Sequence, residues 1–419
     1  MLMLISFTAL AIVTYVLWAF AVAWIVCFGL TLYGLSRQRP LLPLNNGSRQ
    51  ADDNPFVSVV VPARNEAHRV LADSIRSILA QDYGAFEVIA IDDRSTDNTR
   101  SILNSLAQAD SRLRVIEGED LPAGWLGKPH AMYQALEQAR GEWILATDAD
   151  MIFDTAVLRT ALATARRQNA DAISLIPYFE TGSFWERVII PTWAWVTIMF
   201  TIAYRINNPK TQGALGIGGF FLMRHSALTR VGGYEALKNE VVEDIRLAEM
   251  IKRSGGRMLT IQAPGLLRTR MYRSFGEIWE SCTRTWFSGM KFSFGFALVC
   301  ALSMYVMAVT PALLALISAV GIVSGVDARV WQLLIPATLA WLTQVVVLMI
   351  SGFRYGVSGW YALTAPLGLA LLYTMLLDSG VRIRTRKGVT WKGRLIYERA
   401  GVRPPDSGIF GSQSSTMQE

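Results

Sequence analysis

Charge is scarce in this chain. Only 17% of its 419 residues are Asp, Glu, Lys or Arg, while 52% are hydrophobic. A soluble domain carries about a quarter charged residues, so a wholly water-exposed globular protein is excluded. Cysteine and histidine are rarer still, at three each. Cys27, Cys282 and Cys300 lie far apart without metal-ligand spacing, which argues against a disulfide framework and a zinc site. No internal repeat is present. A basic start before the first apolar run is also missing: residues 3–34 are uncharged, and Arg37 and Arg39 come after them. A cleaved secretory signal shows the opposite order.

The apolar residues are concentrated rather than spread. Besides 3–34, segments at about 295–322, 331–351 and 359–377 are each long enough to span a bilayer. The expected organisation is an N-terminal transmembrane anchor over 1–35, a linker over 36–55 and a globular domain over 56–275. An amphipathic interfacial helix over 276–292 follows, then C-terminal transmembrane segments over 293–378. A basic tail over 379–419 ends in a disordered stretch. A further apolar run, 188–204, is rich in Trp and contains Pro191. A span there would divide the domain between two compartments, so it is expected in the membrane interface or packed under the domain.

The net charge is +7, and eight Arg and Lys residues fall between 382 and 403. Their place after the last apolar segment suits anionic lipid headgroups, not nucleic acid. Arg37 and Arg39 put the N-terminus outside and the globular domain in the cytosol by the positive-inside rule. Four spans then leave the basic tail outside, against the same rule, and the sequence leaves that conflict open.

Residues 56–275 alternate short β-rich runs (56–61, 86–91, 113–116, 143–147 and 172–176) with helical patterns such as 67–80, 128–139 and 156–168. That alternation predicts an α/β domain with a mainly parallel sheet flanked by helices. Ligands of such sheets bind at the carboxyl ends of the strands.

Four constellations sit at those ends or nearby. Ile91-Asp92-Asp93-Arg94-Ser95-Thr96-Asp97 follows a strand. It reads as a strand-to-helix turn capped by Ser95 or Asp97, or as carboxylates that accept hydrogen bonds from a nucleobase or ribose. Asp148-Ala149-Asp150 follows another strand. Alternate carboxylates either cap a helix or face one hard cation, magnesium or manganese with bridging phosphates. Val242-Glu243-Asp244 opens a helical run. The acids complement the helix dipole, or one of them acts as a general base kept ionised by that dipole. Gly124-Trp125-Leu126-Gly127-Lys128-Pro129 is a turn with a solvated lysine, or a flexible backbone that presents Lys128 to a phosphate.

The order and spacing of the set resemble glycosyltransferase family 2, with its Rossmann-like GT-A fold for nucleotide-diphospho-sugars. The matching pieces are Val59-Val60-Val61-Pro62-Ala63-Arg64-Asn65-Glu66, the Asp-Asp and Asp-x-Asp motifs, Gly218-Gly219 with Met223-Arg224, Gly232-Gly233-Tyr234, and Glu243-Asp244. The resemblance implies that Pro62, Asp92, Asp93, Lys128 and Asp148 bind the donor, with Asp93 on the nucleobase. It implies Asp150, with Asp148, as ligands of Mn2+ or Mg2+, and Asp244 as the catalytic base. Gly218, Gly219, Glu243, Arg284 and Trp286 fall on the acceptor side. A narrower resemblance to hopene-associated and carotenoid glycosyltransferases rests on Trp125-Leu126-Gly127-Lys128, Phe184-Trp185-Glu186-Arg187 with Pro191, and Val389-Thr390-Trp391-Lys392-Gly393-Arg394.

Processive members of the family carry Gln-x-x-Arg-Trp after the base. Here the stretch reads Cys282-Thr283-Arg284-Thr285-Trp286, without an adjacent Arg-Trp pair. The expected activity is inverting, metal-dependent transfer of a single sugar from a nucleotide-diphosphate sugar, a UDP-sugar among the candidates. The acceptor would be an isoprenoid or glycerolipid at the cytosolic face of a bacterial inner membrane. A processive polysaccharide synthase and a non-catalytic membrane scaffold are the rival readings.

Overall fold

The structure is a computed structural model. It describes residues 7–37, 40–44, 54–289, 293–325, 330–385, 389–391, 394–397 and 401–402. Part of the expected linker (45–53) lies outside the described residues, as do Arg386, Lys387, Lys392, Arg399 and Arg403 of the basic tail. So do Gly393 of the carotenoid-type motif and the terminal stretch expected to be disordered. The chain divides into two compact units.

One unit comprises 39–178, 204–271 and 382–419. Its strands β1 (Val57–Ala63), β2 (Phe86–Asp92), β3 (Leu113–Glu117) and β4 (Trp143–Ala146) lie within a residue or two of the expected runs. Strands β5 (Met151–Phe153), β6 (Ala172–Ile176), β7 (Tyr178–Phe179), β8 (Phe221–Arg224), β9 (Met258–Gln262) and β10 (Leu267–Thr269) follow. Seven of them form the central sheet in the order β3-β2-β1-β4-β8-β6-β9. Strands β1, β2, β3 and β4 run parallel, as do β6 and β9, but β8 runs antiparallel to both its neighbours, β4 and β6. Strands β5 and β10 pair antiparallel in a second sheet, whose order is β5-β10-β7.

Strand residues alternate between two cores, as a period of two requires. Val57, Val59, Val61, Val88, Ala90 and Leu145 face one side. Helices α2 (Leu71–Leu79), α3 (Thr99–Ala109) and α5 (Val157–Arg167) cover that side through Ile75, Ile78, Leu103, Leu158 and Ala161. Val60, Ile89, Ile91 and Ile144 face the other. There α4 (Gly127–Leu136), α7 (His225–Arg230) and α8 (Glu243–Arg253) contribute Met132, Ala135, Leu228, Leu247 and Ile251. Burial on both faces explains why these strands read as continuous apolar runs.

The other unit comprises 1–38, 179–203 and 272–381. It holds α1 (Phe7–Arg37), α6 (Phe184–Tyr204), α9 (Phe275–Gly289), α10 (Phe294–Met304), α11 (Thr310–Val323), α12 (Trp331–Phe353) and α13 (Ala365–Arg384). Among the described residues four helical stretches are long and apolar enough to cross a membrane: Thr8–Arg37, Phe294–Val323, Trp331–Phe353 and Gly359–Arg384. They are compatible with an integral membrane protein. Helix α6 groups with these helices, and its Val188 and Ile189 are buried with Ile278 and Cys282 of α9 and Leu372 and Met375 of α13. The Trp279 indole of α9 donates to Asp378 of α13 at 2.7 Å. Helix α9 is thus packed along one side rather than lying free. In the basic tail, β11 (Val389–Trp391), β12 (Arg394–Tyr397) and β13 (Gly401–Val402) form a small antiparallel sheet that the composition did not announce.

Candidate active site

The acidic motifs gather at the carboxyl end of the parallel strands. Asp92 is the last residue of β2, and both it and Asp93 are buried. The turn between them and α3 is tied to the turn after β1. The Asn65 N–H donates to Ser95 Oγ at 3.0 Å, Asn65 Oδ1 accepts the Thr96 N–H at 2.9 Å, and the Ala67 N–H donates to Asp97 Oδ2 at 3.0 Å. Asp97 therefore joins two loops as well as receiving the Thr99 N–H. Arg94 adopts a positive φ of 53°, a strained conformation for a long side chain, and its guanidinium lies 3.2 Å from Asp93. Pro62 pairs in register with Ile91, one residue short of this turn.

Lys128, in the first turn of α4, is the hub of the second cluster. Its Nζ lies 2.7 Å from Asp148 Oδ1 and 2.7 Å from Glu243 Oε1. Burial pulls the pKa of this lysine down. The Asp148, Glu243 and Asp244 carboxylates prevail and hold the ammonium well above the ordinary range. Asp244 Oδ2 accepts the Gly218 N–H at 2.8 Å and Oδ1 accepts the Ile245 N–H at 2.8 Å. A Cβ on Gly218 would stand 2.9 Å from Lys128 Nζ and 3.4 Å from both Asp148 Oδ2 and Asp244 Oδ2. Gly218 is therefore glycine because the cluster converges on it.

The N-terminal position of Asp244 on α8 predicts a readily ionised carboxylate. The structure differs. Burial, then the adjacent Glu243 charge, push Asp244 up to about 6, against the pull of Lys128 and the two backbone donors. Desolvation outweighs the helix terminus here. Glu243 and Asp244 also diverge as neighbours on a helix must: one grips Lys128, the other the Gly218 amide.

Asp148 and Asp150 follow β4 on either side of the buried Ala149. The Asp148 side chain is 39% exposed, against 8% for Glu243. Asp150 Oδ2 lies 3.8 Å from Arg69, whose Nη1 also donates to the Met271 carbonyl. Among the described residues no three His, Cys, Asp or Glu side chains group as a closed metal site. Two carboxylates are the set that a hard cation uses when the phosphates of a bound nucleotide supply the remaining oxygens, so the residues present fit such an ion.

Of the residues singled out in the sequence, the structure brings Lys128, Asp148, Gly218, Glu243 and Asp244 together. Thr147 Oγ donates to the Gly219 carbonyl at 2.7 Å, which ties Gly219 to the same strand end. Arg284 and Trp286 lie on α9, in the apolar unit. Arg69 and Arg94 were not singled out for the site, and nothing in their spacing marks them. The left-handed backbone of Arg94 and the Arg69–Asp150 approach exist only in three dimensions.

Residues 58–232 match the family described as Glycosyl transferase family 2. A 4,4'-diaponeurosporenoate glycosyltransferase of Staphylococcus haemolyticus is 22% identical over 58% of this chain and 63% of its own length. A beta-monoglucosyldiacylglycerol synthase of a Nostoc species is 34% identical over 29% of this chain and 26% of its own. Glycosyltransferase GlyG of Streptococcus pneumoniae is 32% identical over 28% and 38%. The chain spans less than two thirds of the length of each of these curated relatives. Among solved structures, a mannosyltransferase from Pyrobaculum calidifontis in complex with GDP-Man and Mn2+ superposes with a TM-score of 0.49 at 19% identity, over 87% of this chain and 98% of that one. The match takes in the parallel strands β1 to β4 with the Asp-Asp and Asp-x-Asp motifs, and residues 58–232 carry a Glycosyl transferase family 2 domain.

Proposed function

We propose that this chain transfers one sugar from a nucleotide-diphosphate sugar to a lipid hydroxyl, with inversion, at the cytosolic face of a membrane. The observation that carries this reading is the convergence of Lys128, Asp148 and Asp244 on Gly218. A cation for departing phosphates and a proton acceptor lie side by side there. Asp92, Asp93 and Pro62 would receive the nucleoside. Lys128 would hold the diphosphate, and Asp148 the ribose or the metal. Asp150, with Asp148, would hold Mn2+ or Mg2+, which when bound offsets charge on the leaving diphosphate. Asp244 takes the proton of the acceptor hydroxyl as its oxygen attacks the anomeric carbon from the side opposite the diphosphate. The glycosidic C–O bond forms as the sugar–phosphate bond breaks, and the nucleoside diphosphate leaves with that electron pair. A pKa near 6 leaves Asp244 ionised at neutral pH yet basic enough to accept a proton. The four apolar helical stretches and the lipid substrates named in two relatives support a lipid acceptor.

The test is to incubate membranes carrying this chain with labelled UDP- and GDP-sugars and a lipid extract, then to weigh the lipid product. A mass gain of one sugar, lost in excess chelator or with Asp150→Ala and restored to wild type by manganese or magnesium, is expected. A ladder of masses would overturn single transfer, and full activity in excess chelator would overturn the metal.

A further inference from the structure

Lys252 is a charged side chain that the proposed reaction does not use, and it is only 8% exposed. It sits near the carboxyl end of α8, eight positions after Asp244, or about 12 Å along the helix. Its Nζ donates to the Ile206 carbonyl at 2.6 Å, the Gly213 carbonyl at 2.6 Å and Thr211 Oγ at 3.2 Å. Three donors thus meet three acceptors, all from the irregular segment that precedes β8. The same segment is held elsewhere along its length. The Asn207 amide exchanges hydrogen bonds with both backbone groups of Thr260, at 2.8 and 2.7 Å. Thr260 Oγ donates to the Leu215 carbonyl at 2.6 Å, and Ser174 Oγ accepts the Ile217 N–H at 2.8 Å. The segment then delivers the Gly218 N–H to Asp244. Gly216 passes so close to α8 that a Cβ there would stand 2.2 Å from the Asp244 carbonyl oxygen.

We infer that Lys252 is a positioning residue: it clamps the 206–213 segment onto the helix that carries Asp244, and so sets where Gly218 meets the acidic cluster. Helix α8 grips one loop at both of its ends, and Gly218 of that loop lies between Lys128 and Asp244. Burial pulls the Lys252 ammonium below the ordinary lysine range, so only close oxygen partners justify a cation there. Neutral side chains of similar length leave the Ile206 and Gly213 carbonyls short of a donor, and the loop loosens.

The consequence for turnover rests on the reading of Asp244 as the base, but the anchoring itself does not. The experiment compares wild type, Lys252→Met and Lys252→Arg as full-length chains in detergent. Backbone hydrogen exchange is followed over 206–218 and over β1 as an internal control, together with kcat and the donor KM. Lys252→Met should speed exchange over 206–218 at least tenfold while β1 is unchanged. It should lower kcat about tenfold or more at a donor KM within twofold of wild type, and Lys252→Arg should recover most of both. Unchanged exchange over 206–218 overturns the clamp. Faster exchange with unaltered kcat overturns its influence on the acid cluster. If Lys252→Met does not accumulate, Lys252→Gln, which is neutral and one bond shorter, gives the same comparison. Absence of sugar transfer by the wild type would count against the proposed function alone, since the exchange measurement still decides the clamp.

Discussion

At the scale of single residues, Asp244 carries two opposed demands. Its carboxylate is raised from 3.8 to about 6, mainly by burial. The folded chain therefore holds a proton that the unfolded chain has released between about pH 4 and 6, and stability falls as pH rises through that window. Above it the whole cost of a buried charge is present. Asp244→Asn should accordingly melt at a higher temperature than wild type at pH 7 and at an equal temperature near pH 3, where both side chains are neutral. Turnover should move the other way. Only the ionised form accepts a proton, so wild-type kcat should fall as pH drops through about 6. Asp244→Asn should lose about a hundredfold or more at pH 7, with donor affinity little changed. Glu243→Gln acts differently, because Glu243 grips Lys128. It should weaken donor affinity more than Asp244→Asn does. Melting curves at the two pH values, with turnover and donor affinity for both variants, check these expectations. Near-normal turnover in Asp244→Asn would move the base elsewhere.

At the scale of elements, β8 decides the site. Because it runs antiparallel between β4 and β6, its beginning lies beside the end of β4 and the middle of β6: Phe221 pairs with Ala146 and with Ser174. The loop before β8 is thereby brought to the strand ends that carry Asp148 and Asp150. Two glycines of that loop separate packing from chemistry. A Cβ on Gly216 meets rigid backbone, whereas one on Gly218 first meets the end of the flexible Lys128 side chain. Gly216→Ala should destabilise the fold by about 1–3 kcal/mol, the usual range for overpacking. Gly218→Ala should keep wild-type stability but lower turnover about tenfold to a hundredfold, as small misplacements of reacting groups do. Denaturant midpoints and turnover on the same two proteins separate the effects. Equal destabilisation by both would mean that Lys128 cannot yield.

At the scale of the whole molecule, the four long apolar helical stretches among the described residues are compatible with an integral membrane protein. Association that depends on spans survives screening of charge, whereas a peripheral basic patch is released by salt. The chain should stay with membranes through a wash of about 1 M salt, where screening reaches within about 3 Å, and leave only with detergent. Sedimentation and immunoblotting of washed membranes measure this. Recovery in the salt wash would mean that the apolar helices pack against one another without lipid.

The strands β1 to β4 and β6, the helices between them and the apolar stretches were legible in the sequence, because each is a local pattern of burial with its own period. The acidic motifs were legible for a similar reason: a strand end followed by adjacent or alternate carboxylates is a short-range signal. Strand β8 was not legible. Four residues, Phe221–Arg224, are too few to show a period, and nothing local reports which way a strand runs. The same holds for Lys252, which reads as one more surface lysine on an amphipathic helix until the chain 40 residues upstream folds back to offer it carbonyls. The raised pKa of Asp244 was misread because the helix terminus is local and visible, whereas desolvation and the Glu243–Lys128 pair are set by packing. The sequence by itself determined which residues are apolar, which are acidic and in what order they come. Only the tertiary structure decided which of them share a few ångströms of space, because that distance is fixed by pairings between segments far apart in the chain.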